Sequence, residues 1–569
     1  MRKTIISLLI SFILFEPEYM FAQSFQWLTS MGGISSALNP GADEIVREVK
    51  VDEQGNVYAC GRIRQYAAFS GITVATYGDY DIFLAKYNCQ GNLVWVRTAG
   101  GSAGDDAFSI ALNSSGQIYM TGFIDSDPVF PVTFFDTILS QESTRDMFLA
   151  KFDTSGNYLW GKFSGPGMQN TFAQGFNLEL DSNSNPVVHV STAMAGELFP
   201  GWNVGIAPYI AQFDTAGTLQ QLFTFSSNYS LDASNFAIDS QNNYYVCGFW
   251  SADSVILGNQ VLYNPKPGIT VIGYVSKFTN TGNLIWTYML TDTTTGPAGT
   301  RPWGIAIDNF DNVLLSGKTT AGLKCGNYVF TNVPGFSSLV PYLIKINPTG
   351  LPVWAAQGYQ EFIIYGRSGL ALKSNGNAVF TGAYRGTAIF NNDTLTQSFN
   401  GSSDLFLAEV DPNGQMLGAV KLGSTGNNTD SYSTVTDPLD NVYMGGTFNG
   451  VLSANTLSVS NSGGYSDGFI AKYGTICTTG IEETNSATNL MLNLFPNPVS
   501  NILNIASIDH TVNSLHIYNS LGQIVFKQQI SPDNLEIIQI NVSLFPPGIY
   551  IVKLTGSRHI PLGKFIKEQ

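Results

Sequence analysis

The stretch from Asp81 to Gly101, DIFLAKYNCQGNLVWVRTAGG, recurs along the chain and constrains the fold more than any other feature. It reads as two apolar strands joined by a Gly-Asn turn. Copies begin at Asp146 (DMFLAKFDTSGNYLW), Tyr274 (YVSKFTNTGNLIW), Tyr342 (YLIKINPTGLPVW) and Asp404 (DLFLAEVDPNGQML). A worn copy begins at Tyr209 (YIAQFDTAGTLQ), with Gln220 at the Trp position and Ala207 at the leading Asp. The last copy, DGFIAKYG from Asp467, stops before its second strand. The aligned aromatics Phe83, Phe148, Tyr209, Tyr274, Tyr342, Phe406 and Phe469 lie 65, 61, 65, 68, 64 and 63 residues apart. Self-similarity at a near-fixed period indicates an array or a propeller.

Between these stretches lies a second strand pair: Glu44–Gly61, Ala107–Gly122, Phe236–Gly248, Trp303–Gly317, Gly369–Gly382 and Ser433–Gly446, with a weak copy from Asn177. Each is a run rich in Val, Ile, Tyr and Thr, then an Asp/Asn/Gly turn, then a second run, which is a hairpin signal. Two pairs make four strands per unit, seven times over, and radial four-stranded sheets leave no long open edge. Strands such as Ile82–Tyr87 are apolar on both faces, as expected of sheets sandwiched between neighbours. The segment SFQWLTSMGG, residues 24 to 33, matches LVWVRTAGG, with Trp27 standing where Trp95 stands. The chain therefore begins with a lone final strand, and its last copy lacks one. Phe25–Ser30 is expected to pair beside Phe469–Tyr473 and close the ring.

The expected fold is all-β: a seven-bladed β-propeller over residues 23–474, a linker over 475–490, and a small Ig-like β-sandwich over 491–569. The repeats resemble a bacterial β-propeller repeat family with the pattern D-x-F-(L/V)-x-K-(Y/F)-x-x-x-G-x-x-x-W followed by G-N-x-Y-x-x-G. That resemblance implies fold and says little about chemistry.

The N-terminus has the form of a secretory signal peptide over residues 1–22. Arg2 and Lys3 precede an apolar run from Ile5 to Phe15, and Ala22–Gln23 is a plausible cleavage point. The run is too short to span a bilayer, and no later one approaches that length. Lys and Arg number 27 against 42 Asp and Glu, so the net charge of −15 argues against nucleic acid or an anionic membrane as partner.

Five cysteines leave an odd number. Cys60 and Cys247 take the same place in their repeats and read as small buried hydrophobes. Cys89, Cys325 and Cys477 read as loop residues. Two of them can bridge in an oxidising compartment, and spacing does not choose the pair.

From Met491 the pattern changes to short alternating strands split by Asn-Pro, Leu-Gly and Pro-Gly turns. This segment resembles the type A C-terminal sorting domain of the Bacteroidetes type IX secretion system. The matching residues are Phe495 with Pro496, Asn497 and Pro498; Leu521-Gly522-Gln523; Gly548-Ile549-Tyr550; and the terminal Lys564 to Lys567. The resemblance implies the type IX machinery as partner, passage through the periplasm to the outer surface or medium, and removal of the domain near the linker.

No motif for catalysis emerges. His189 is the sole histidine of the propeller and reads as a strand residue, while His510, His516 and His559 fall in the sorting segment. No G-x-S-x-G, H-E-x-x-H or P-loop is present. Asp105-Asp106, Asp125-Ser-Asp127 and Asp181-Ser-Asn-Ser-Asn185 are the densest acidic spots. The last has Pro186 where a calcium loop needs Gly, and Thr192 where it needs Glu, so it reads as a turn like those at Asp52, Asp239 and Asp308. Trp27, Trp95, Trp160, Trp286 and Trp354, with Lys86, Lys151, Lys277, Lys345 and Lys472, hold fixed places and read as core.

Trp202, Trp250, Tyr359 and Phe362 fall outside the repeat frame and read as surface contacts. Asp136, Asp214, Asp253, Asp292 and Asp393 each precede Thr or Ser in triplets resembling a bacterial O-glycosylation sequon. No catalytic residue, metal ligand or cofactor is expected, and the ligand-binding residues stay unknown. The reading is a secreted, non-enzymatic module that binds an extracellular glycan or surface protein. The alternative is a polysaccharide hydrolase or lyase with carboxylates on one propeller face.

Overall fold

The computed structural model describes residues 23–33, 43–64, 66–74, 76–125, 132–135, 137–139, 145–164, 172–226, 231–265, 271–290, 299–320, 323–331, 339–361, 369–462, 464–477, 493–506, 512–519, 524–529, 537–556 and 562–568. The expected signal peptide, most of the linker, Gly522 and Phe362 fall outside these residues. The chain divides into two compact units, Met1–Cys477 and Thr478–Gln569.

The first unit holds seven sheets whose four principal strands, a to d, follow chain order. Blade 1 is typical, with Ile45–Val51, Val57–Arg64, Tyr80–Tyr87 and Leu93–Ala99. The seven a strands contact one another in a closed ring and so surround the axis. Blade 7 takes Asp430–Thr436, Val442–Phe448 and Asp467–Gly474 from the end of the unit, and its d strand, Ser24–Gly33, from the beginning. The closing register runs from Phe25 opposite Tyr473 to Ser30 opposite Phe469, as expected from the split repeat.

Each blade also carries an outer hairpin between strands b and c, which extends the four strands expected per unit. In blade 1 it is Ala67–Phe69 with Ile72–Val74, turning at Ser70 and Gly71 with φ of +47° and +87°. The hairpins reach back to the preceding blade. Phe69 pairs with Met31 of blade 7, and Ser453 of blade 7 pairs with Gly423 of blade 6. Bridges Gly100–Thr133 and Ser226–Leu257 repeat the arrangement. The sequence signal is an apolar pair around a short Gly or Asn turn, too brief to separate from a loop without its partner strand.

The repeated residues form the seams between blades. The Trp27, Trp286 and Trp354 indoles donate to the carbonyls of Cys89, Pro348 and Pro412 in the next blade's c–d turn, at 3.0, 2.9 and 2.9 Å. Each ring lies against that turn's glycine; a Cβ on Gly350 would stand 2.9 Å from Trp286. Gly350 also has φ +88°, so the turn needs glycine on two counts. Lys86, Lys151 and Lys277 place their ammonium groups 4.9, 4.8 and 4.8 Å from the rings of Tyr58, Tyr119 and Tyr245.

Blade 3 departs from this pattern. By register Gln221, not Gln220, stands opposite Gln212 where Trp is expected, and Phe223 covers Gly282 instead. Trp250, expected at the surface, is buried with its ring 5.8 Å from Tyr274, because alternation along strand b of blade 4 turns it inward. Trp202 and Tyr359 are half-buried.

A disulfide joins Cys89 to Cys477 across 388 residues of sequence. Cys325 is buried in the outer hairpin of blade 5, not in an open loop, and like Cys60 and Cys247 stays a thiol.

The second unit packs one sheet of Asn493–Phe495, Ile502–Ala506 and Ile537–Asn541 with another of Ile524–Gln529, Val512–Tyr518, Gly548–Gly556 and Leu562–Lys567. Their alternating apolar residues, among them Leu503, Ile517, Ile540, Val552 and Phe565, form one core. No helix occurs among the described residues.

Candidate functional site

Strand a ends in an Asx-type turn in most blades, and these turns gather at one end of the propeller. Asp52 shows the pattern, with Oδ1 accepting from the amides of Gln54 at 3.1 Å and Asn56 at 2.8 Å. Asp181 does the same for Asn183 and Asn185, and its second oxygen accepts from the Asn185 and Gln212 side chains. Its carboxylate is thus fully engaged by the turn. The d–a loops lie at the opposite end, since neighbouring strands are antiparallel.

At that end the inner strands share an irregularity. Register shifts leave Arg47, Phe108, Phe176, Ser234, Trp303 and Tyr432 as bulged residues in blades 1, 2, 3, 4, 5 and 7. A bulge re-aims its side chain out of the pleat. All six line an axial cavity of about 810 Å³. Phe108 and Phe176 have centroids 5.0 Å apart, and the Arg47 guanidinium lies 5.0 Å from the Phe108 ring and 5.5 Å from that of Tyr432. The result is a collar of half-buried rings around the funnel. The collar does not stand out in the sequence, because the repeat period does not say which strand faces the axis. Counting five residues back from each turn residue (Asp52, Asn113, Asp181, Asp239, Asp308, Asp437) recovers it.

One residue further along strand a in blades 1 to 4, polar side chains lace neighbouring blades together. Glu48 accepts from the Ser109 hydroxyl and, at 2.8 Å, from the Ile110 amide; the Ser109 oxygen accepts from Leu178 N at 3.0 Å. Asn177 donates to Asn235 Oδ1 at 3.0 Å, and Asn235 donates to the Trp303 carbonyl at 3.2 Å.

Below this belt Lys50 lies 3.0 Å from Glu48 and 3.4 Å from Glu179. Burial alone would lower the Lys50 pKa, but Glu179 and Glu48 reverse this and hold it above the ordinary value. Asp106 is paired with Arg47 at 2.7 Å and Arg62 at 3.6 Å. Of the carboxylates lining the funnel, Glu48 and Glu179 face Lys50, and Asp232 accepts from the Ser234 hydroxyl at 3.1 Å; Asp106 lies behind the lining, with Arg47 and Arg62.

His189 also lines the cavity. It is 4% exposed, and neither ring nitrogen has a hydrogen-bond partner among the described residues. Burial pushes its pKa down to about 4, so the imidazole is neutral near pH 7.

Other carboxylates are structural. Asp404 accepts from the amides of Ser398 at 2.7 Å and Ser424 at 2.9 Å, and Asp467 accepts from Ser462 N at 2.7 Å. A Cβ on Gly32 would stand 2.1 Å from the Asp467 carboxyl carbon, which accounts for the glycine ending the Trp strand. Glu44 is buried at the seam of blades 7 and 1, and burial followed by the nearby Asp467 raises its pKa to about 8. Among the described residues, no group of three or more His, Cys, Asp or Glu side chains is arranged to hold a metal. Of the Asp-Thr/Ser triplets, Thr215 and Thr394 are exposed and Ser254 is half-buried; Asp136 and Asp292 lie outside the described residues.

In the second unit the expected sorting landmarks converge on the last strand. Asn497 Oδ1 accepts from Ile566 N at 2.9 Å, and Val499 N donates to the Ile566 carbonyl at 2.8 Å. Pro496 and Pro498 flank this contact and are exposed. Gly548 pairs with Lys567, Ile551 pairs with Lys564, and Tyr550 stacks on Phe565 at 5.3 Å.

Residues 493–568 match the family described as Secretion system C-terminal sorting domain. The regulatory protein FlaEY of Caulobacter vibrioides is 26% identical over 195 residues, 33% of this chain and 18% of that protein. An uncharacterized WD repeat-containing protein, L264, of Acanthamoeba polyphaga mimivirus is 23% identical over 529 residues, 76% of this chain and 35% of that protein. The chain thus spans well under two thirds of either relative. Among solved structures, an ulvan lyase of the polysaccharide lyases, bound to -[GlcA(1-4)Rha3S]-, is similar at TM-score 0.37 and 11% identity, over 74% of this chain and 93% of that one. The WD40 domain of SCAP from fission yeast is similar at TM-score 0.32 and 8% identity, over 79% of this chain and 99% of that one. The blade topology and the sorting tail together make this a secreted β-propeller protein of the Bacteroidetes type, carried by the type IX secretion system to the cell surface or the extracellular space.

Proposed function

We propose that the exported propeller is a non-enzymatic binding module whose axial funnel takes an extracellular ligand, a glycan or a surface-protein segment. The observation that carries this reading is the collar of Phe108, Phe176, Trp303 and Tyr432 around a cavity of about 810 Å³. Such a volume is within the range of small-ligand sites, and ring-lined concave walls with a few polar groups are typical of them. Hydrolysis by paired carboxylates needs acids free to exchange protons. Here two of the three lining acids, Glu48 and Glu179, share Lys50, and the third, Asp232, accepts from the Ser234 hydroxyl.

The test is a glycan and surface-protein binding screen of the purified protein, repeated with Trp303→Ala and Phe108→Ala. Binding that survives both substitutions unchanged refutes the funnel as the site. A second reading, a polysaccharide lyase or hydrolase, is favoured by one observation: a neutral imidazole, His189, shares the cavity with Arg47 and Tyr432. Release of reducing ends or unsaturated sugars, abolished by His189→Gln, would establish it.

A further inference from the structure

Blade 3 breaks the repeat in several places, and one of them, His189, falls on the wall of the funnel. By register His189 stands opposite Asn177, and the corresponding residues of five other blades are Cys60, Thr121, Cys247, Ser316 and Gly445. All five are small. Strand packing at this position thus needs little volume and no charge, yet blade 3 supplies an imidazole. The leading Asp, which in blades 1, 6 and 7 fastens nearby loop amides, is Ile272 and Val340 in blades 4 and 5 and the smaller Ala207 in blade 3, where Pro208 follows it. His189, Ala207 and Pro208 all line the same cavity.

We infer that this part of the funnel, at the seam of blades 3 and 4, is a subsite for one ring of a neutral, hydroxyl-rich oligosaccharide, with His189 as its polar contact. The inference rests on the reading of the funnel as a binding site. A neutral imidazole offers one donor and one acceptor, which suits a pair of sugar hydroxyls. Leaving both nitrogens buried and unpaired is costly, so a ligand that pairs with them gains more than one meeting solvated groups. The flanking ring of Phe176, a lining residue with its centroid 5.7 Å from the imidazole, gives an apolar surface that a sugar's C–H face packs on, while Phe225 backs the imidazole from the core at 5.8 Å. Asn177 and Asn235 side chains stand on the same wall. Glu48, Glu179 and Asp232 outnumber Arg47 and Lys50 on the lining and disfavour an acidic sugar.

The test uses the full chain without its signal peptide and, as probes, neutral oligosaccharides of hexoses, pentoses and N-acetylhexosamines, with sulfated and uronate chains as a separate arm. Calorimetry compares wild type with His189→Leu, His189→Gln and Trp303→Ala. Imidazole NMR follows His189, the only histidine between residues 23 and 474. A neutral oligosaccharide is expected to bind and to shift one imidazole signal. His189→Leu should weaken it about tenfold or more while melting no lower than wild type, with partial recovery in His189→Gln. Loss of affinity in Trp303→Ala but not in His189→Leu, with an unmoved imidazole signal, overturns the subsite and leaves the funnel standing. Binding confined to anionic chains, or to none of the saccharides while a surface protein still requires Trp303, overturns the ligand class. Binding indifferent to both residues removes the funnel reading as well.

Discussion

Replacing Cys89 and Cys477 together by serine removes the one disulfide found among the described residues. The bond ties the c–d turn of blade 1 to the segment after strand c of blade 7, beside the Trp27–Cys89 hydrogen bond. It therefore clamps the seam at which the first and last strands of the ring meet. In the chain-entropy account, releasing a loop of 388 residues returns about 6 kcal/mol to the unfolded state. With about 2.1 cal/mol/K of unfolding entropy per residue over roughly 450 residues, that corresponds to a fall of about 6 °C in Tm. Differential scanning calorimetry of wild type and the double variant, both under oxidising conditions, measures it. Wild type with reductant should reproduce the variant's Tm. Limited proteolysis should reach strand Ser24–Gly33 earlier in the variant, since its outer edge is held only by Ala67–Phe69. A double variant melting within about 1 °C of wild type would refute the view that the disulfide holds the ring closed.

Trp286→Ala removes a half-buried indole, its bond to the Pro348 carbonyl and its packing on Gly350; denaturant unfolding should show a loss of about 2–4 kcal/mol. Glu44 has its folded pKa raised to about 8 from an ordinary value near 4.5, so its contribution is present below about pH 4.5 and is lost as pH rises through 8. Glu44→Gln should accordingly gain Tm relative to wild type between about pH 5 and 8.5, and parallel curves would contradict the buried-acid account. Deleting residues 24–33 exposes the edges of Asp467–Gly474 and Ala67–Phe69 and should cause aggregation, read by light scattering. Truncation before Gly563 removes the strand that pairs with Gly548–Lys553 and covers Tyr550. The propeller should then melt normally but stay in the periplasm, and normal export on fractionation would contradict the sorting role. Mass spectrometry of exported wild type should find the residues after the linker missing.

The number of blades, the split closing blade and the second domain were all legible from residue order. These features are periodic or local: strands alternate, turns need Asp, Asn or Gly, and a missing strand at one end matches a spare strand at the other. The pairing of Phe25 with Tyr473 follows from that alone. The sorting domain was legible for the same reason, as short turn and strand motifs in fixed order, although the convergence of Asn497, Gly548 and Tyr550 on Leu562–Lys567 was not.

Contacts between blades were hidden, because they join residues with no fixed separation in sequence. The outer hairpins pair only with the blade before them, so their few apolar residues carry no signal alone. Trp250 looked like a surface residue, yet by register it takes the place of Ile63, Ile124, Tyr384 and Phe448, all of them buried in the core. The cysteine pair could not be chosen by spacing; ring closure brings Cα atoms 388 residues apart to within 5.9 Å. The funnel depended most on tertiary structure. Arg47, Phe108, Phe176, Trp303 and Tyr432 become neighbours only because the a strands surround one axis and the strands that hold them each carry a bulge that re-aims one side chain. His189 could be read as an ordinary strand residue until its burial, its two unpaired nitrogens and its small counterparts in other blades were seen together.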